Sequence, residues 1–409
     1  MQSRGIAYGI ISMIYLPFAF VGPNIAAGIG LTRWRWGYGM FCMLMPACVC
    51  PLLVLLARAD LVRRSQKSKT EVGSKEQIRS GDARATQPVR RSRFVGLKPL
   101  AVIDPLGLLL TGFAFSLLLA PPTLYAGAKG GWRNRSMIAM EVTGGVIAVL
   151  LGIWELRFAP YPLFPRRMFN RNFILCLAIE VLYFMNGSML TTYWSSWVWV
   201  VTEYSEHQWT YLCTTGTASL CVFTLVAGLI IRWTKQYKVM LIVGVCISIV
   251  GCGVNYYSTL PGRTSTVALV FGQLLIQAGG GFALTPAQTG LQGSVRATDL
   301  AMAVALLIFS ETIGGAIGAS IAGGLWTTSL ISNLAKYAPG LDATAILQII
   351  GDITAAREAE PRDAIVVAYN HAFRKQALVL LICSFLPIIM AVTVRDFALD
   401  ARQNAAEDV

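Results

Sequence analysis

The chain has 409 residues, 55% hydrophobic and only 13% charged, with a formal net charge of +13. A soluble domain carries roughly 25% charged residues, so this composition excludes an ordinary water-soluble fold. It predicts an all-α integral membrane protein with the lipid bilayer as its solvent. The basic residues sit in short loops between apolar runs, a membrane-topology pattern and not a nucleic-acid footprint.

A helix crossing a roughly 30 Å hydrocarbon core needs about 20 apolar residues. Ten segments meet that requirement: residues 5–31, 37–57, 105–125, 137–154, 173–200, 209–231, 239–257, 266–285, 300–329 and 372–394. The first is too long for the core of a signal peptide and lacks an obvious cleavage site. The run from Leu300 is too long to stand upright, so it is expected to tilt or to project past the membrane.

The loops set the orientation. Residues 58–98 hold twelve Lys/Arg against four Asp/Glu and belong in the cytosol. The turns 157–171 and 232–238 are also basic, and ten crossings place them on the same side, together with both termini. The opposite side receives Glu203, Glu206 and the long loop 331–370, whose stretch 336–363 has three basic and five acidic residues. Residues 63–93 lack periodicity and are expected to be disordered. Apolar spacing over 341–353 predicts a short amphipathic helix on the external face. The division expected is 1–57 with two helices, a basic loop 58–103, two central helices in 104–158, a six-helix bundle 159–395, and a cytosolic tail 396–409.

Nine cysteines all lie in apolar stretches, without a CxxC pair or a neighbouring histidine, and read as packing residues. No metal and no cofactor is expected. The glycines at 279–281 and at 314, 315, 318, 323 and 324 read mainly as close helix packing. Pro286 marks a helix end, with its freed backbone groups facing protein or a cavity.

The informative groups are ionisable residues inside apolar runs. Glu180 lies about two turns into its helix and Glu311 near the middle of its own. Glu141 is interfacial, and Asp104 and Glu155 mark helix ends. Burial favours the neutral form of a carboxyl, so a membrane glutamate can exchange protons near physiological pH, as an ion-coupled carrier needs. The plainer alternative is a permanently protonated Glu bonded across helices. Tyr193, Trp194, Trp197, Trp199, Tyr204 and Trp209 read most simply as an interfacial aromatic belt. Their alternative role is a wall for a large, partly apolar ligand, with Asn186, Thr191 and Thr192 as polar groups along a pathway. The two histidines, His207 and His371, fall near the outer face. There is no HExxH, GxSxG or Walker sequence. This excludes the common enzyme constellations and a nucleotide-driven pump, and leaves a secondary transporter.

Several strings point further. They are Arg4-Gly5 leading to Gly22-Pro23, Trp34-Arg-Trp-Gly-Tyr-Gly-Met40 before Pro46, Trp154-Glu155 before Pro162-Leu-Phe-Pro165, and Arg232-Trp-Thr234. Further on come Gly279-Gly280 before the stretch from Gln288 to Val295, Ile313-Gly-Gly-Ala-Ile-Gly318, Ala322-Gly-Gly324, Trp326-Thr327 and Arg395-Asp396. In this order and spacing the chain resembles the fungal siderophore–iron transporters of the major facilitator superfamily from Arg4 to about Asn404. The resemblance implies a fourteen-helix major facilitator fold and proton-coupled import of a ferric siderophore across the plasma membrane. It also implies a role in transport for the last external loop, which makes Tyr369 a pathway candidate. The ten helices here correspond to the family's fifth to fourteenth. The first four have no counterpart, so the N-terminal bundle is incomplete, and the chain as written is expected to transport poorly unless the gene model is incomplete. A drug or toxin:proton antiporter and a non-transporting membrane protein remain as alternatives. The expected proton-coupling residues are Glu311 and Glu180. The expected pathway residues are Asn186, Tyr193, Trp194, Trp197 and Tyr369.

Overall fold

The structure is a computed structural model and describes residues 2–29, 34–79, 104–124, 131–159 and 165–396. Every regular element among them is helical, and ten helices are long and apolar enough to cross a membrane. The chain forms two compact units, residues 21–99 and residues 1–20 with 100–409.

The first span is not one helix. α1 (Gln2–Met13) and α2 (Tyr15–Ile29) are separated by a turn at Ile14. Pro17 lacks the N–H that would continue the ladder back to Met13, which accounts for the break. In the smaller unit α3 (Trp34–Arg79) contains the second span, Arg35–Ala59, and then runs on to Arg79. A loop was expected from residue 58. The residues after the span are rich in Leu, Arg, Lys, Gln and Glu, all good helix formers, and a helix already nucleated in the span extends without a new nucleation cost. Residues 80–103, the rest of the basic loop, lie outside the described residues, as do those after Asp396.

The larger unit holds α4 (Pro105–Leu119), the short α5 (Pro121–Leu124) and α6 (Arg135–Ile153). Then come α7 (Arg171–Val201), α8 (Glu206–Thr234), α9 (Lys238–Ser258), α10 (Thr266–Gly293) and α11 (Leu300–Tyr337). α12 (Ala343–Gly351), α13 (Ile353–Glu358), α14 (Arg362–Ser384) and α15 (Leu386–Thr393) complete it. Asn170, Ser205 and Ser265 start α7, α8 and α10 by accepting from backbone N–H groups with their side chains, each worth about 1 kcal/mol.

Three boundaries differ from expectation for definable reasons. α10 runs through Pro286 to Gly293, because residues 283–291 are buried around the whole helix and the freed backbone stays enclosed in protein. α11 has 38 residues, about 57 Å at 1.5 Å per residue, so it projects well beyond the hydrocarbon. α14 begins at Arg362, and segment 331–370 is largely helical instead of an open loop. The amphipathic helix expected over 341–353 is α12.

Two core clusters occupy opposite ends of the bundle. One gathers Trp194, Trp197, Trp326, Tyr369 and Phe373; the other gathers Phe173, Ile179, Ile231, Tyr237 and Leu241. α7 and α11 touch through Gly314 and Gly318, where a Cβ would run into the carbonyl oxygens of Val181 and Met185. The central helices α4 and α5 reach this bundle at α11, where the Ser320 hydroxyl donates to the Leu119 carbonyl at 2.8 Å.

Asp104 ties α4 to α6. It is buried, caps α4 by accepting from the Gly107 N–H at 3.1 Å, and accepts from Trp154 Nε1 at 3.1 Å. Its backbone is left-handed, with φ 49. Asp104→Ala is expected to cost about 1–2 kcal/mol, read as a lower thermal midpoint in detergent. Asp104→Asn keeps an acceptor and tolerates the backbone, and is expected to retain most of that stability.

Candidate functional site

The long spans bring four polar side chains from four helices together. Glu180 on α7 has no exposed surface, and neither carboxyl oxygen has a hydrogen-bond partner. Glu311 on α11 is its electrostatic neighbour, with its own Oε1 buried and unpartnered. The side-chain amide of Gln288 on α10 is the polar partner of the Glu311 carboxyl, and its Nε2 donates to the Tyr8 hydroxyl of α1 at 3.1 Å. Tyr8 thus lies in the same neighbourhood as both glutamates.

This arrangement has an energetic consequence. A buried polar atom without a partner costs about 1–3 kcal/mol. A charged carboxylate inside the hydrocarbon costs several kcal/mol, and two in one neighbourhood repel. Such a pair is economical when it carries protons and when water or a neighbouring amide can reach it. The α7–α11 contact fixes the geometry: Gly314 and Gly318 follow Glu311 by one and two turns, and their carbonyl contacts, Val181 and Met185, follow Glu180.

One turn along α7, the Tyr183 hydroxyl donates to the Ile276 carbonyl at 3.1 Å, with Gln277 Oε1 at 3.2 Å. Gly280 on α10 makes room for that ring, since a Cβ there would collide with it. Beyond it, Asn186 is buried with Oδ1 unpartnered and lines a narrow pocket with Tyr183, Ser248, Cys252 and Ser384. The pocket offers about 20 Å³, room for a single water.

The aromatic residues do not form a lipid-facing belt. Trp194 is 4% exposed and Trp197 fully buried. Trp197 stacks on Phe373 at 4.5 Å and donates to Asn370 Oδ1 at 2.9 Å. Tyr193 stacks on Trp326 at 4.8 Å, and Tyr369 meets the same indole edge-on at 5.4 Å while its hydroxyl donates to the Ile349 carbonyl. Trp194 Nε1 has no partner. A second opening of about 530 Å³ lies between the start of α2 and α8, walled by Tyr15, Phe18, Trp209, Thr210, Thr214 and Thr217.

The structure therefore joins Glu180 to Glu311, and joins Tyr193, Trp194, Trp197 and Tyr369 to one another. It keeps the two groups apart, since Tyr193 lies 13 positions beyond Glu180 on α7, about 20 Å along the axis. Tyr8, Gln288 and Tyr183 were not anticipated; neutral polar residues in apolar runs carry no charge signal. Tyr8→Phe removes one hydrogen bond from a half-exposed residue and is expected to cost only about 1 kcal/mol of stability in detergent unfolding.

Ten helices long and apolar enough to cross a bilayer, with two carboxyls buried among them, mark a multi-pass α-helical membrane protein. No family model matches the chain. It is 34% identical over 413 residues to a low affinity heme transporter of Schizosaccharomyces pombe, covering 100% of this chain and 64% of the relative. It is 32% identical over 424 residues to a siderophore transporter of Mycosarcoma maydis, again covering 100% of this chain and 64% of the relative. The MFS siderochrome iron transporter C of Aspergillus fumigatus is 29% identical over 395 residues, 94% of this chain and 62% of that protein. Over nearly its whole length the chain is similar to fungal siderophore–iron transporters of the major facilitator superfamily. It spans 64% of the length of the first two of these relatives. The relatives are transporters and not enzymes.

Proposed function

We propose that the chain acts in proton-coupled uptake of a ferric siderophore across the plasma membrane. The observation that carries this reading is the Glu180–Glu311 pair, linked through Gln288 to Tyr8. Protonation removes the charge cost within the hydrocarbon and lets α7 and α11 sit closed. Release of the proton restores the charge and favours an arrangement in which water reaches the pair. A substrate that binds one arrangement better than the other then moves with the proton. Residues 159–395 serve in this reading as the moving bundle. The aromatic group of Tyr193, Trp194, Trp197 and Tyr369 is packed against Trp326 and Phe373, and would meet a bulky, partly apolar chelate only in an arrangement that opens that packing.

The 34% identity to a heme transporter favours a second cargo, an iron porphyrin. Both readings are tested by expressing the full chain in a siderophore-transporter-deficient yeast and following radiolabelled iron. Accumulation of ferric siderophore that falls as external pH rises supports the first reading, and accumulation of labelled heme instead supports the second. Resistance to toxic compounds without any iron uptake overturns both in favour of a drug:proton antiporter.

A further inference from the structure

A second cluster of charge lies away from the carboxyl pair. His371 and Lys375 are one turn apart on α14, Arg374 lies next to Lys375, and Lys336 approaches from the end of α11. The charged neighbours of His371 are Arg374, Lys336 and Lys375, all of them cations. Its ring stacks on Tyr337 at 5.1 Å, and Lys336 Nζ sits 4.9 Å from the centre of the same ring. Arg374 donates from Nη2 to the Thr259 carbonyl at 2.8 Å, while its Nε is buried without a partner. Among the described residues no carboxylate pairs with Lys336, Arg374 or Lys375.

A cavity of about 440 Å³ opens beside Lys375 in the groove between α11 and α14, lined also by Ser320, Thr328, Ser329 and Pro122. Two of the three hydroxyls are committed: Ser320 donates to the Leu119 carbonyl and Thr328 to the Gly324 carbonyl. Ser329 is 5% exposed, faces the cavity, and donates to nothing. A lysine near a helix end ordinarily snorkels towards water, and that would explain one lone cation. It does not explain Lys375 without a counter-ion in a cavity with an uncommitted buried hydroxyl, while two further cations, Lys336 and Arg374, flank His371 one turn away. Neighbouring like charges repel, and an anionic oxygen in the cavity would accept a charge-assisted hydrogen bond from Lys375 and lower that repulsion.

We propose that the α11–α14 groove binds an anionic oxygen group, a carboxylate or a phosphate, held by the Lys375 ammonium and the Ser329 hydroxyl in the field of Lys336 and Arg374. The group arrives either on a dissolved ligand or on a phospholipid headgroup. Binding is measured without uptake, so the inference stands or falls separately from proton-coupled transport.

The test uses the full chain purified in uncharged detergent, with two probes. The first is a porphyrin dicarboxylic acid compared with its neutral dimethyl ester by equilibrium binding. The second is phosphatidylglycerol compared with phosphatidylcholine, read by lipid retention in native mass spectrometry. The acid, or the anionic lipid, is expected to bind about tenfold more tightly than its neutral counterpart, the scale of one charge-assisted hydrogen bond. Lys375→Gln is expected to erase that preference, Lys375→Arg to keep it, and added salt to weaken it. A preference for the acid assigns the site to a dissolved ligand, and a preference for the anionic lipid alone assigns it to a headgroup. Absence of both preferences, or preferences untouched by Lys375→Gln, overturns the proposal.

Discussion

Glu311→Gln is expected to abolish the pH dependence of iron uptake while the chain still folds and inserts. Glutamine has nearly the shape of a protonated glutamate, and its amide oxygen can still accept from Gln288, so the contact that reaches Tyr8 survives. In the proposed carrier, what disappears is the exchangeable proton. One elementary charge moved across 100 mV is worth about 2.3 kcal/mol, roughly a fiftyfold accumulation ratio. A carrier that loses one coupled proton loses a factor of that order and becomes a facilitator that merely equilibrates its cargo. Glu311→Asp retains a titrating group and is expected to keep a weakened pH response. Glu180→Gln separates the roles within the pair. Glu180 is fully buried with both oxygens unpartnered, whereas Glu311 is partly exposed and has an amide beside it. Under the proposed mechanism Glu311 is therefore the member better placed to exchange with water, and Glu180 its fully buried neighbour. Initial-rate uptake across a pH series for the three variants decides the matter. A Glu311→Gln protein that keeps the parent's pH profile removes Glu311 from coupling.

The ten spans were legible because apolar runs of about 20 residues have few other uses. The glutamates were legible because charge inside such a run is costly. What the sequence concealed was direction and partnership. Trp194 and Trp197 read as a membrane-surface belt because composition reports that aromatics are present and not which way they point. The buried series Leu190, Trp194, Trp197 has helical spacing, and following that period would have turned the cluster inward. Gln288 escaped notice because it carries no charge, and because its partners Tyr8 and Glu311 lie on two other helices. Proline is unfavourable in an exposed helix, so Pro286 reads as a helix end; burial on all sides reverses that inference. The continuation of α3 past Ala59 is hidden in the sequence because its charged residues suggest a loop, although several of them favour helix.

Gly318→Ala should prove among the most damaging single changes in the bundle, for a reason that also protects the carboxyl pair. At both Gly314 and Gly318 an added Cβ would meet a carbonyl oxygen of α7, of Val181 and Met185 respectively. A carbonyl within a helix cannot rotate aside as a side chain can, so the two helices must separate. Overpacking of this kind costs about 1–3 kcal/mol and occasionally more. Van der Waals contact is the principal force holding helices together in lipid, so little remains to offset the loss. Separation of α7 from α11 would also pull Glu180 away from Glu311, which couples the stability defect to the carboxyl pair. Gly253 on α9 supplies the control, since nothing lies within 4 Å of a Cβ placed there. Gly253→Ala removes only the helix penalty of glycine and is expected to stabilise by about 0.5–1 kcal/mol. The same chemical change thus carries opposite signs at two sites, and thermal unfolding of both variants in one detergent reads the difference directly. Equal midpoints for Gly318→Ala and Gly253→Ala would mean that the α7–α11 approach is looser than its backbone contacts imply, and that the glutamates are brought together by something else.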